Sequence, residues 1–199
     1  MIAHDLGIDA QDLTRRFGSV EAVRGLSLSA PYGEVTALVG PNGAGKTTLL
    51  LMLATLLAPD SGHVRVAGLD PVRDPVGVRA RMGWMPDAFG VYDQLTVWEY
   101  LKFFADAYRL PDPTGRARVA ETLGLTHLEE YAARPVHVLS RGQKQRLALG
   151  RTMLHDPAVL LLDEPASGLD PRSRIELRDI LRGLAAKGAA VLFNSQATT

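Results

Sequence analysis

Apolar residues fall along this chain in two rhythms. Val23, Leu26, Leu28 and Ala30 mark a short strand region, and Val35 to Val39 is a second apolar run closed by glycine. Pro31-Tyr32-Gly33-Glu34 between them has turn chemistry. After the glycine-rich stretch Gly40 to Gly45, the pattern predicts a helix over 46–57. Strand, glycine loop and helix in that order open an α/β unit. Farther on, Val97, Tyr100, Leu101, Phe104, Ala105 and Tyr108 recur at helical spacing. Thr96-Val97-Trp98-Glu99 in front of them has the form of a capping box, a hydroxyl followed three residues later by Glu. Ser140-Arg141-Gly142-Gln143 is a second such box and predicts a helix to about His155. Ala158 to Leu162 is a continuous apolar run, the mark of a strand buried on both faces of a parallel sheet. Asp170-Pro171 then starts another helix, with Pro at its first position, and Ala189 to Phe193 reads as a last core strand.

Composition adds limits. The 199 residues are 46% hydrophobic and 22% charged, as in one globular domain with a substantial core. Cysteine is absent, so thiols indicate no redox compartment. Lys+Arg and Asp+Glu number 22 each, and this balance argues against a nucleic-acid partner. The N-terminal residues carry Asp5 and Asp9 and lack the apolar core of a signal peptide. The most apolar stretch, Leu49 to Ala58, is interrupted by Thr55 and is far short of the ~20 residues of a membrane helix. A soluble, cytoplasmic chain is expected. The five histidines show no metal-ligand spacing.

Two motifs carry chemistry. Gly40-Pro41-Asn42-Gly43-Ala44-Gly45-Lys46-Thr47 satisfies G-x-x-x-x-G-K-[ST] at every fixed position. Its glycines allow backbone geometries barred to other residues, so that amides converge on phosphate oxygens. Lys46 supplies positive charge to the β- and γ-phosphates, the helix N-terminus adds its dipole, and Thr47 offers a hydroxyl to Mg²⁺. The second motif is Asp163-Glu164 at the end of the apolar run, where open α/β sheets bind ligands. Neighbouring residues on a strand point to opposite sides, so the two acids take different roles. Asp163 is expected to hold Mg²⁺, directly or through water, and Glu164 to orient and polarise the attacking water.

With these motifs the sequence resembles the ABC ATPase family over essentially its whole length. Leu139-Ser140-Arg141-Gly142-Gln143 looks like the LSGGQ signature, with Arg141 in place of the first glycine. Ser167-Gly168-Leu169-Asp170 looks like the D-loop. The resemblance implies an α/β P-loop NTPase core with an antiparallel β subdomain (1–86 and 156–199) and a helical signature subdomain (87–155). It implies two cassettes sandwiching two ATP molecules, with Ser140, Gly142 and Gln143 of one facing the γ-phosphate held by the other. Phe17 falls where the family stacks an aromatic on adenine, though a core or edge hydrophobe reads nearly as well. Thr48 is placed at the α-phosphate. Asp87 stands at the Q-loop glutamine position and could contact Mg²⁺ or water. Gln196 stands at the switch-histidine position, where a neutral amide can bond the γ-phosphate but carries no charge.

The resemblance further implies an ATPase that couples ATP to export by a separate membrane-spanning permease at the inner face of the membrane. Pro86-Asp87-Ala88-Phe89-Gly90-Val91-Tyr92 and the 139–146 segment are similar to ABC-2 exporters. The second cassette is another copy or a related chain. Soluble ABC ATPases of ribosomes carry two cassettes, and those of chromosomes carry coiled coils; neither feature is present. A truncated ATP-binding module with little hydrolysis is the alternative, because Gln196 replaces histidine and Thr199 falls where the family adds strand and helix. Eight of the 12 aromatics lie between Trp84 and Tyr108. They either receive a coupling helix of the permease or pack internally.

Overall fold

Val159–Leu162 is buried at all four positions and forms strand β6 of a parallel sheet, as its unbroken apolar run requires. The computed structural model describes residues 6–88, 90 and 92–196, without the side chain of Gln196. The elements in chain order are β1 (Leu6–Phe17), β2 (Val20–Pro31), β3 (Val35–Gly40), α1 (Lys46–Leu53), β4 (Ser61–Val66), α2 (Pro75–Arg81) and β5 (Met82–Met85). They continue as α3 (Val97–Ala107), α4 (Asp112–Leu125), α5 (Arg141–Met153), β6, α6 (Pro171–Ala186) and β7 (Ala190–Gln196). The chain divides into two compact units. One holds Met1–Asp87, Pro157–Pro165 and Leu181–Thr199; the other holds Ala88–Asp156 and Ala166–Ile180.

The first unit contains both sheets. The four-stranded sheet has the order β3-β7-β6-β5, and every neighbouring pair is parallel. The carboxyl ends of β3, β6 and β7 therefore lie on one edge. The three-stranded sheet, β2-β1-β4, is antiparallel. Leu49, Leu50, Met52 and Leu53 of α1 join Ile8, Leu13 and Val66 of the antiparallel sheet and Leu161 and Leu192 of the parallel one in a single core. Here the fold is an α/β P-loop NTPase-like core joined by an antiparallel sheet, as expected.

Two local expectations change. The helix after the glycine loop ends at Leu53, not at 57. Thr55 adopts φ 67, a left-handed backbone no helix continues, and Leu56 N–H donates back to the Leu51 carbonyl at 2.9 Å. Strand β1, which no periodicity announced, runs for 12 residues. Its apolar positions Ile8 and Ala10 alternate, but the register shifts between Ala10 and Leu13, and Asp12 sits at φ 50. That bulge breaks the period of two on which a strand is read.

The second unit is helical. Val97, Tyr100, Leu101 and Ala105 of α3 pack with Val119 and Leu123 of α4 and Leu147 of α5. Both capping boxes are formed. Glu99 N–H donates to Thr96 Oγ1 at 3.2 Å, and Thr96 N–H returns a bond to Glu99 Oε2 at 2.8 Å. That backbone bond, with the Thr96 hydroxyl, holds the Glu99 carboxyl below its usual range. Asp170 serves the start of α6: the Ser173 hydroxyl and its N–H both donate to it, and they keep its carboxyl below the ordinary range.

Candidate nucleotide-binding site

The phosphate loop follows β3 without a break. Gly43 and Gly45 take φ 79 and φ 82, the left-handed conformation that the loop's turns require and that glycine adopts without a Cβ clash. Gly45 is also the residue before α1, and Leu49 N–H donates to its carbonyl at 2.9 Å. A Cβ on Gly45 would overlap the carbonyl oxygen of Ala22, whereas one on Gly43 would meet nothing within 4 Å. Pro41, Asn42, Gly43 and Ala44 are exposed, and the Ala44 N–H donates to the Pro41 carbonyl at 3.3 Å.

Lys46 is only 8% exposed. Its ammonium donates to the carbonyls of Gly40 at 2.7 Å and Pro41 at 2.8 Å, so it lies curled inside its own loop. Thr47, the next residue, donates its hydroxyl to Asp163 Oδ1 at 3.3 Å. Asp163 is 4% exposed and its N–H donates to the Met85 carbonyl at 2.8 Å, which extends the β5–β6 pairing by one step. Thus two hard oxygen donors, a hydroxyl and a carboxylate from distant parts of the chain, meet beneath the loop. This pair fits Mg²⁺, which binds through one or two protein oxygens and otherwise through phosphates and water. Among the described residues, no group of three or more His, Cys, Asp or Glu side chains forms a metal site of the protein's own. Asp87 is exposed beyond β5, and among the described residues no bond joins it to Thr47 or Asp163.

Glu164 has φ 50, a conformation that costs a non-glycine residue. Its N–H donates to Asn194 Oδ1 at 2.5 Å, and Asn194 Nδ2 donates to Asp163 Oδ1 at 2.6 Å. Sequence reading passed over Asn194. The signal was a polar residue directly after the apolar run 190–193 of β7, at a position that proves 1% exposed. The Gln196 backbone pairs with Gly40 across the β3–β7 ladder, while its side chain lies outside the described residues. Thr48 is half-buried in the first turn of α1.

Phe17 ends β1 and is 49% exposed, so it is an edge residue and not a core one. The guanidinium of Arg15 lies over one face of its ring, 5.0 Å from the centroid, and is itself tied to Asp60 Oδ1 at 2.8 Å.

The signature residues lie in the second unit. Ser140 Oγ accepts the Gln143 N–H at 3.2 Å, and Gln143 Oε1 accepts the Ser140 N–H at 2.8 Å. Gly142 lets α5 approach α6: a Cβ there would come within 2.7 Å of Ser173 Oγ. Arg141 lays its guanidinium against Gly168, at φ 65, where any side chain would overlap it. Tyr100 is buried in the helical core, while Tyr92 and Phe103 stack edge to face at 5.4 Å and stay exposed. The aromatic cluster is therefore partly core and partly surface. Phe89 and Val91 lie outside the described residues.

Comparison with known proteins agrees with this construction. Residues 23–167 match the model of the ABC transporter family, so the chain belongs to that family. It is 44% identical over 197 residues to the probable multidrug ABC transporter ATP-binding protein YbhF of Escherichia coli (strain K12), covering 96% of this chain and 34% of that protein. It is 38% identical to the daunorubicin resistance ATP-binding protein DrrA3 of Streptomyces coeruleorubidus, covering 96% and 61%. Against the ABC transporter ATP-binding protein NatA of Bacillus subtilis (strain 168) the identity is 37%, covering 94% and 78%. The chain thus spans about a third of YbhF and three fifths of DrrA3. Among solved structures, cbiO1 from Clostridium perfringens, part of the ABC transporter complex cbiONQ, superposes with a TM-score of 0.86 at 28% identity, covering 98% of this chain and 79% of that one. Among the described residues no helix is long and apolar enough to cross a membrane.

Proposed function

We propose that this chain is an ATP-binding and ATP-hydrolysing cassette that drives export through a separate membrane-spanning permease. The observation that carries the reading is the meeting of Thr47 Oγ1 and Asp163 Oδ1 at 3.3 Å directly below the phosphate loop. The loop amides and the N-terminus of α1 bind phosphate oxygens, and Lys46 exchanges its two carbonyl partners for the β- and γ-phosphates. Thr47 and Asp163 hold Mg²⁺, which neutralises developing phosphate charge when bound. Glu164 orients the attacking water and accepts its proton. Phe17, backed by Arg15, stacks on adenine, Thr48 serves the α-phosphate, and Asp87 and Gln196 line the γ-phosphate end.

The relatives' names, a probable multidrug transporter and a daunorubicin resistance protein, support export as the direction. The reading includes a second cassette, another copy or a related chain, whose signature residues Ser140, Gly142 and Gln143 close on the nucleotide. It also includes the division into a core with β subdomain (1–86, 156–199) and a helical subdomain (87–155). The place of action is the cytoplasmic face of the membrane, reached through the permease.

The test is a fluorescent-ATP titration with and without Mg²⁺, paired with single-turnover hydrolysis by wild type and Glu164→Gln. Wild type should bind and turn over ATP, and Glu164→Gln should bind it and turn it over at least a hundredfold more slowly. A wild-type chain that binds no ATP removes the reading altogether.

A further inference from the structure

The Asn194 side chain bonds both halves of the carboxylate pair. The β6–β7 ladder runs to Leu162↔Phe193, so Asn194 stands one step beyond it, level with Asp163. Its amide is 1% exposed and spans two bonds of opposite sense. Nδ2 donates to Asp163 Oδ1 at 2.6 Å, and Oδ1 accepts the Glu164 N–H at 2.5 Å. The orientation of the amide follows from chemistry: an ionised carboxylate only accepts, a backbone N–H only donates, and Asn alone among side chains of this length offers both.

We infer that Asn194 is a positioning residue for ATP hydrolysis, setting the metal-holding carboxylate with its donor and the base-bearing backbone with its acceptor. This rests on the reading of the site as an ATPase. Asp163 Oδ1 receives two donors, Thr47 Oγ1 and Asn194 Nδ2, which fix the rotation of its carboxyl group. Its other oxygen, Oδ2, is thereby turned to a set direction. Glu164 sits at φ 50, and the bond from its N–H to Asn194 holds that backbone at the residue whose side chain must meet water. A buried amide bonded to both residues links their positions: neither can shift without disturbing the other's partner.

A residue that acts in this way affects chemistry and metal use and leaves the phosphate loop alone. Asn194→Leu keeps the volume and removes both bonds. The rate of single-turnover hydrolysis should fall roughly ten- to hundredfold, as is usual when a partner behind a metal ligand is lost. The Mg²⁺ concentration that half-supports ATP binding should rise by a similar factor. Affinity for fluorescent ATP in EDTA should stay within about twofold of wild type, since Lys46 and the loop amides are untouched. Asn194→Ser, whose hydroxyl reaches one partner at most, should lie between the two, and it carries the test should the leucine variant not fold. Mn²⁺ binding read by electron paramagnetic resonance gives the metal effect without turnover. A folded variant whose Mg²⁺ or Mn²⁺ requirement and hydrolysis both match wild type overturns the inference. Failure of wild type itself to bind ATP would overturn the ATPase reading instead, so the two outcomes are distinct.

Discussion

The ammonium of Lys46 donates to the carbonyl of Gly40 at 2.7 Å and to that of Pro41 at 2.8 Å, so its charge meets the dipoles of its own loop. Lys46→Ala should weaken ATP binding roughly ten- to hundredfold, the worth of about 1.5–3 kcal/mol for a hydrogen bond to a charged group. The same change should leave thermal unfolding without nucleotide little altered, because the lost partners are two carbonyls at an exposed loop. A fluorescent-ATP titration and a melting curve read the two effects separately. Equal ATP affinity in wild type and variant would refute the assigned role.

Gly45 and Gly43 share a backbone conformation and differ in surroundings, which separates two costs. Gly43→Ala should destabilise by about 1–2 kcal/mol, the price of a left-handed alanine in open space. Gly45→Ala adds overlap with the Ala22 carbonyl and should cost roughly 2–5 kcal/mol in all. Urea unfolding of the two variants side by side measures the difference. Equal destabilisation would mean that β2 at Ala22 yields freely.

Arg141 and Gly168 should couple. Gly168→Ala places a methyl group against the Arg141 guanidinium and strains a residue at φ 65. Combining it with Arg141→Gly should recover the part of the loss due to overlap, while the backbone strain remains. A double-mutant cycle on unfolding free energy is expected to show about 0.5–3 kcal/mol of interaction. An additive cycle would show that the arginine simply swings away.

The cap of α3 should respond to acid. Thr96→Ala should cost about 1 kcal/mol in unfolding. Thr96 holds the Glu99 carboxyl below its usual range in the folded state. Its contribution is therefore complete above the unfolded-state value of about 4.3 and is lost as pH falls through the lower folded one. Wild type and Glu99→Gln, melted from pH 6 down to pH 3, should converge in stability at the acid end. A gap that stays constant with pH would contradict this.

The parts of the site that sequence disclosed are those whose chemistry depends on local spacing. The phosphate loop needs its glycines and Lys46 within one turn, and each capping box needs its partners three residues apart, so a short window suffices. The pairing of Thr47 with Asp163 was legible only as two separate motifs, because parallel strand order, and no local pattern, brings them together. Asn194 was missed for a related reason: the first polar residue after an apolar run has no meaning until the neighbouring strand is known. Strand β1 was hidden by its bulge at Asp12, which shifts the alternation midway. The helix after the loop was read too long because Leu56 and Leu57 continue its apolar composition although Thr55 has already turned the backbone.

Strand β7 pairs with β3 on one side and β6 on the other, residue for residue, and so works as a measuring rod between the phosphate loop and the carboxylates. Side chains alternate along it. A slip of one residue in either direction would bring Phe193 or Ser195 to the place of Asn194 and move the end of the strand away from Gly40. A single deletion among the apolar residues 190–193 would therefore change the hydrophobic content of the sheet little while Asp163 and Glu164 face the wrong neighbour.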